Sequence, residues 1–247
     1  MRGKQSLGKQ ISDEGNLETC VDMLIYGSSG AGKTYRAATA PGPLYVISSD
    51  PTGHKSIPFP VDGIVPTDTS ELEECILEFR KGGHGYKTLI VDGLSFLHDM
   101  MVKEVGWYMH DSMGAKDPDL MPIQGRLKVQ SRYKNMIRAL VDLSQLPRKE
   151  DQVHVIFTTL DERLKEDDRA PFTIRPLLGT QRLNLVLPAF FSIISYIATS
   201  DEVDDKGFPV QDRKMLFSSV NGIMARDRLD IFKPYYPIAP ILSNYLK

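Results

Sequence analysis

The sequence predicts an α/β fold: a mostly parallel sheet with helices on both faces. Three features predict it. Short apolar runs that read as strands alternate with segments of helical periodicity, the pattern of parallel strands joined by crossover helices. The runs at 44–50, 86–92 and 153–159 close on polar residues, Asp50, Asp92 and Thr159. A glycine-rich turn joins the first run to the first helical segment. Ligands of such sheets gather beyond the carboxyl ends of the strands, so Asp50, Asp92 and Thr159 should meet that turn.

Taken in order, residues 1–20 are polar and without periodicity, which predicts a flexible N-terminal arm ahead of one domain over 21–247. Residues 21–26 form the first strand and 34–40 the helix after the turn. Ala40, Pro41, Gly42 and Pro43 break the chain before the strand at 44–50. A Pro/Gly-rich loop covers 51–63, with a short strand at 64–65. Asp68 to Glu71 opens a helix with Leu72, Cys75, Ile76 and Phe79 on one face, and glycines from Gly82 end it. After the strand at 86–92 come a helix at 94–109, a long loop at 110–125 and a helix at 126–146 stopped by Pro147. Beyond the strand at 153–159, residues 160–184 read as irregular and charged. Two late strands, around 190–198 and 214–220, flank an acidic turn at 200–207.

Composition narrows the function classes. The 247 residues are 41% apolar and 25% charged, ordinary for a globular protein. A net charge of −2 gives no global positive field, so nucleic-acid binding would need a local basic surface. Cys20 and Cys75 match no metal or redox spacing, and no paired spacing of histidines suggests zinc. No apolar run reaches about 18 residues, so no membrane association is expected. The first residues lack the apolar core of a signal peptide, and a cytoplasmic setting is expected.

The chemistry is concentrated in the turn Gly27, Ser28, Ser29, Gly30, Ala31, Gly32, Lys33, Thr34, which fits G-x-x-x-x-G-K-[ST] at every fixed position. Glycines let successive backbone N–H groups point into one concavity that cradles phosphate oxygens, and the following helix adds its positive end. Lys33 would reach the β- and γ-phosphates of ATP and Thr34 would ligate Mg²⁺. Asp92, closing an apolar strand after a full phosphate loop, is the second expected metal ligand. Gly93, not Glu, follows it, unlike most ring-forming motors, so the water-activating carboxylate must come from elsewhere. Asp50 is the candidate; its other reading is a turn residue before Pro51.

This order of features resembles the RecA-type ATPases. Within them it is most similar to small, single-domain RecA-like proteins encoded by bacteriophages, which bind ATP and are implicated in single-strand DNA annealing or recombination. The resemblance implies that Asp50 stands where the family places its catalytic acid, usually Glu. It implies that Thr158 and Thr159 stand where a longer polar sensor sits, with Thr159 assigned that role. Residues 225–229, with Arg226 and Arg228, resemble a late Lys/Arg-Asp-Arg element, and 233–237 its Pro-containing tail. The shorter Asp50 implies slow hydrolysis, and Thr159 a weaker coupling to DNA.

Either arginine could neutralise charge on the γ-phosphate from a neighbouring subunit, which requires a homo-oligomer, a ring or a filament. The alternative is an ion pair with Asp227 or Asp230. Single-stranded DNA is the expected partner, with candidate contacts at Arg126, Lys128, Arg132, Arg169, Arg175 and Arg182, and Phe172 as a stacking residue. Against that, acids balance bases at 161–182, so a solvated loop is the other reading there. The expected function is Mg²⁺-dependent ATP hydrolysis acting on single-stranded DNA. The alternative is an ATP-switched adaptor or loader of replication proteins that hydrolyses little.

Overall fold

The structure, a computed structural model, describes residues 20–113, 122–165, 172–199 and 213–246. The predicted arm, Arg169 and the acidic turn at 200–207 therefore lie outside the described residues, Cys20 excepted.

The strands are β1 (Asp22–Tyr26), β2 (Leu44–Ser48), β3 (Asp62–Ile64), β4 (Thr88–Asp92), β5 (His154–Thr159), β6 (Asp161–Leu164), β7 (Thr173–Pro176), β8 (Ile193–Thr199), β9 (Arg213–Leu216), β10 (Arg226–Asp227) and β11 (Tyr235–Tyr236). The helices are α1 (Lys33–Ala37), α2 (Thr69–Lys81), α3 (Leu94–Met113), α4 (Ile123–Val141) and α5 (Gln181–Val186). The main sheet runs β11-β9-β8-β1-β5-β4-β2-β3, with β10 also on β8. The six strands from β8 to β3 pair in parallel; β9, β10 and β11 join antiparallel at one side. The mostly parallel α/β sheet is thus the one the sequence predicts.

Because side chains alternate between the faces of a strand, each central strand feeds two cores. Leu24, Tyr26, Leu89, Val91, Val155 and Phe157 pack beneath α2, α3 and α4. Met23, Ile25, Ile90 and Ile156 face the other way, with Ile193, Ile197, Phe217 and Phe232. Long helices cover only the first face. The second is closed by the five-residue α1 and by the chain's last segment, where Ser243 and Leu242 donate to Thr39 and Arg36 Nη1 donates to the Pro240 carbonyl, 2.9 Å away.

Helix α2 starts where its residues require. Asp68 accepts from the N–H groups of Ser70 and Glu71, and Glu71 reaches back to the Thr67 N–H at 2.9 Å, a reciprocal capping arrangement. Two expectations need correction. Residues 160–184 are not irregular: β6 and β7 form a separate antiparallel ribbon and α5 follows, capped by the Thr180 hydroxyl. The second helix of the long pair begins at Ile123, inside the stretch expected to be loop.

Register positions the functional end. Tyr26 lies opposite Thr159, Val91 opposite Phe157 and Ser48 opposite Asp92. The residues after β1, β2, β4 and β5 therefore emerge along one edge.

Candidate functional site: a phosphate loop and a buried carboxylate

At that edge residues 27–34 turn between β1 and α1. Gly27 passes so close to β8 that a Cβ there would run into the Ile197 carbonyl. Gly32 has φ +84, a left-handed conformation that L side chains rarely adopt, and caps α1. With only five residues in α1, the anion-binding field comes from the loop's own N–H groups and cations rather than from a long helix dipole. Lys33 Nζ folds over the loop and donates to the carbonyls of Gly27 (2.9 Å) and Ser28 (2.8 Å). Burial pushes its pKa below the ordinary lysine value, partly countered by the nearby Asp161, Asp92 and Asp50.

Asp92 is 2% exposed. Its Oδ1 accepts from the hydroxyls of Thr34 and Thr158, both at 2.6 Å. Its Oδ2 is buried with no hydrogen-bond partner among the described residues. Burial raises the carboxyl's pKa above the ordinary value, while the two hydroxyls pull it down. A Cβ on Gly53 would collide with Oδ2, so glycine there leaves that oxygen uncrowded. A half-satisfied buried carboxylate beside a threonine hydroxyl is costly for folding alone and is the donor chemistry Mg²⁺ takes. The residues fit the metal: Thr34 and Asp92 would hold it.

Asp50 and Asp92 are the carboxylates lining a cavity of about 430 Å³ at this edge, together with Lys33, Thr34, Thr158 and Thr159. Asp50 Oδ1 accepts from the Thr52 N–H (2.9 Å) and hydroxyl (3.0 Å), so it shapes the turn before Gly53 while facing the cavity. Gly93 suits its position: its N–H donates to Thr158 Oγ1 at 2.9 Å, and a side chain would crowd Asp50 and Phe96. The two threonines divide their tasks. Thr158 holds Asp92 and Gly93, whereas the Thr159 hydroxyl is bound to Ser95 Oγ (2.8 Å) and the Leu177 carbonyl (2.5 Å). Of these two, the threonine whose hydroxyl touches Asp92 is Thr158, the neighbour of the residue assigned as sensor.

Arg226 and Arg228 lie elsewhere. Strand β10 pairs with Ile193 and Ile194 at the start of β8, the end of the sheet opposite the cavity. Neither arginine ion-pairs with Asp227 or Asp230. Arg226 donates to the Pro188 and Phe191 carbonyls, and Asp227 instead accepts from the N–H groups of Leu229, Ile231 and Phe232.

The basic candidates also separate. Arg175 is 8% exposed and bound to Glu162 at 2.8 Å, so it belongs to the ribbon's own packing. Arg132 bridges Glu73 (2.9 Å) and Glu104 (3.3 Å), tying α4 to α2 and α3. Arg126, Lys128 and Arg182 are exposed, with Lys128 over the Tyr108 ring. Phe172 is 57% exposed at the ribbon, with Lys165 Nζ 5.7 Å from its ring centre.

Three contributors gave no legible signal. Gly53 sat in a stretch read only as loop. Asp161 accepts from the Ser28 hydroxyl at 3.2 Å, although in the sequence it is only one of the acids that balance bases at 161–182. Arg213 lines the cavity against Gly32 from β9.

A parallel sheet with the phosphate-loop strand one strand away from the metal-carboxylate strand, and both feeding one cavity, defines a P-loop nucleotide-binding domain. Residues 19–229 match the AAA domain family, and the chain belongs to that family. No curated protein matches it at a significant level. Among the described residues no helix is long and apolar enough to cross a membrane.

Proposed function

We propose that this protein binds ATP with Mg²⁺, hydrolyses it and couples the nucleotide state to single-stranded DNA. The observation that carries the reading is Asp92, held by Thr34 and Thr158 with one buried oxygen left over at the phosphate loop. Bound Mg²⁺ would neutralise charge on the phosphates. Lys33 would leave its two loop carbonyls for the phosphate oxygens, and Asp50 would orient the attacking water.

Three hydrogen bonds support a route toward DNA. The Ser28 hydroxyl binds Asp161 at the foot of the ribbon, and the Tyr26 hydroxyl donates to carbonyls of Met224 (2.6 Å) and Ile174 (3.2 Å), the latter in β7. The ribbon carries exposed Phe172 beside Lys165, the stacking and cationic pairing that single strands favour. Within a homo-oligomer, the exposed Arg228 would reach the site of a neighbouring copy. A second reading, a nucleotide-switched adaptor with little turnover, is favoured by one feature: the Thr52 contacts already engage Asp50.

The test is ATP hydrolysis with and without single-stranded DNA at low salt, with Lys33→Ala as the blank. We expect stimulation that is lost in the blank and reduced in Phe172→Ala, where loss of base stacking costs about 1–3 kcal/mol of DNA binding. Tight ATP binding with slow turnover indifferent to DNA would select the adaptor reading.

A further inference from the structure

Around Gly32 the loop is faced by two guanidiniums, Arg213 and Arg36, that no acid among the described residues pairs with. Arg213 opens β9, where it pairs with Thr199, the last residue of β8, and so projects from the same edge as the loop. Its backbone is fixed there by the Ala239 N–H, which donates to the Arg213 carbonyl at 2.6 Å. A Cβ built on Gly32 would lie 2.5 Å from Arg213 Nη1 and 2.9 Å from Nε, so the guanidinium lies against the loop backbone itself. Arg36, one turn into α1, is close enough that Arg213 helps to depress its pKa, though burial contributes more. Arg36 Nε is buried without a hydrogen-bond partner among the described residues. Neither arginine forms an ion pair with a carboxylate among the described residues; Arg36 has only the Pro240 carbonyl and the Tyr35 ring. The two guanidiniums beside one loop repel one another, and an anion between them would remove that cost.

We propose that Arg213 is a nucleotide-binding residue supplied by the protein's own chain, donating to the phosphate groups shared by nucleoside di- and triphosphates. The inference rests on the nucleotide reading of the site. A guanidinium suits it because its rigid planar fork presents two parallel N–H groups to two oxygens of one phosphate, a geometry an ammonium lacks. It also gives a role to an antiparallel strand otherwise peripheral to the parallel core. Gly32 is then required twice, for its backbone conformation and to let Arg213 approach.

The experiment is calorimetric titration of ADP in EDTA into wild type, Arg213→Ala, Arg213→Gln, Arg213→Lys and Lys33→Ala, each checked for folding by thermal melting. Arg213→Ala is expected to weaken ADP binding by about tenfold or more, Arg213→Gln by a similar factor and Arg213→Lys by less. If Arg213→Ala does not fold, Arg213→Gln, which keeps most of the side chain's volume, carries the comparison. ADP binding within about twofold of wild type in a folded Arg213 variant, with binding lost in Lys33→Ala, would overturn the role of Arg213 and leave the nucleotide site standing. Undiminished binding in Lys33→Ala would overturn both.

Discussion

Asp92 and His98 show what single buried polar atoms do to this molecule. Asp92 keeps one carboxylate oxygen without a partner among the described residues, a folding cost that the proposed Mg²⁺ would offset. His98 is a different case. It packs edge-on to Tyr133 at 5.3 Å, and a Cβ on Gly179 would collide with its ring. Its Nε2 is buried without a hydrogen bond among the described residues, and burial depresses its pKa below 6.5, with Asp99 pulling weakly the other way. A depressed pKa means the folded state binds the proton less readily than the unfolded chain. The stability this gives is fully present above pH 6.5 and is lost as pH falls through the folded value. Thermal melts between pH 7.5 and 5.5 should therefore show a larger drop in Tm for wild type than for His98→Gln, which cannot charge. Equal drops would remove His98 from the acid response.

Among elements, the helical face is held by polar cross-links as well as by its core. Glu104 of α3 accepts from the N–H and hydroxyl of Thr69 at the start of α2, both at 2.6 Å, and from Arg132 of α4. Three helices thus meet at one carboxylate. Arg132→Ala should lower stability by about 1 kcal/mol, since the pairs are partly solvated. It should weaken binding of a labelled oligonucleotide less than Lys128→Ala does. The reverse order would put Arg132 on the binding surface. The same network explains what the sequence concealed. A run of bases with no acids at 126–138 looks like a free surface because its acids, Glu73 and Glu104, belong to other helices. Local patterns were legible: the Asp68 cap, the apolar strands and the phosphate loop are each written in a few consecutive residues. The β6–β7 ribbon was not, because its strands are short and charged and are fixed by the Arg175–Glu162 pair and by Asn184, which donates to the same Glu162 oxygen. Arg213 was illegible for the same reason at longer range: only the return of β9 along β8 carries it to the loop.

At the scale of the whole molecule, one sheet edge gathers the nucleotide chemistry, and the ribbon's foot is bonded to it. Tyr26 closes β1 directly before the loop, and its hydroxyl holds both the ribbon and the segment at Met224. Ser28 holds Asp161. A change at the loop is therefore next to a separate two-stranded element, while Arg226 and Arg228 face away at the far end of the sheet. The proposed function stands or falls with metal-assisted phosphate binding at Lys33, Thr34 and Asp92. Its most direct test is the affinity for ATP, measured calorimetrically with and without Mg²⁺, in wild type, Lys33→Ala and Asp92→Asn. We expect Mg²⁺ to tighten ATP binding about tenfold or more in wild type, Asp92→Asn to bind ATP with little response to the metal, and Lys33→Ala to lose most binding. Equal Mg²⁺ dependence in wild type and Asp92→Asn would remove Asp92 from metal binding and contradict the proposed site.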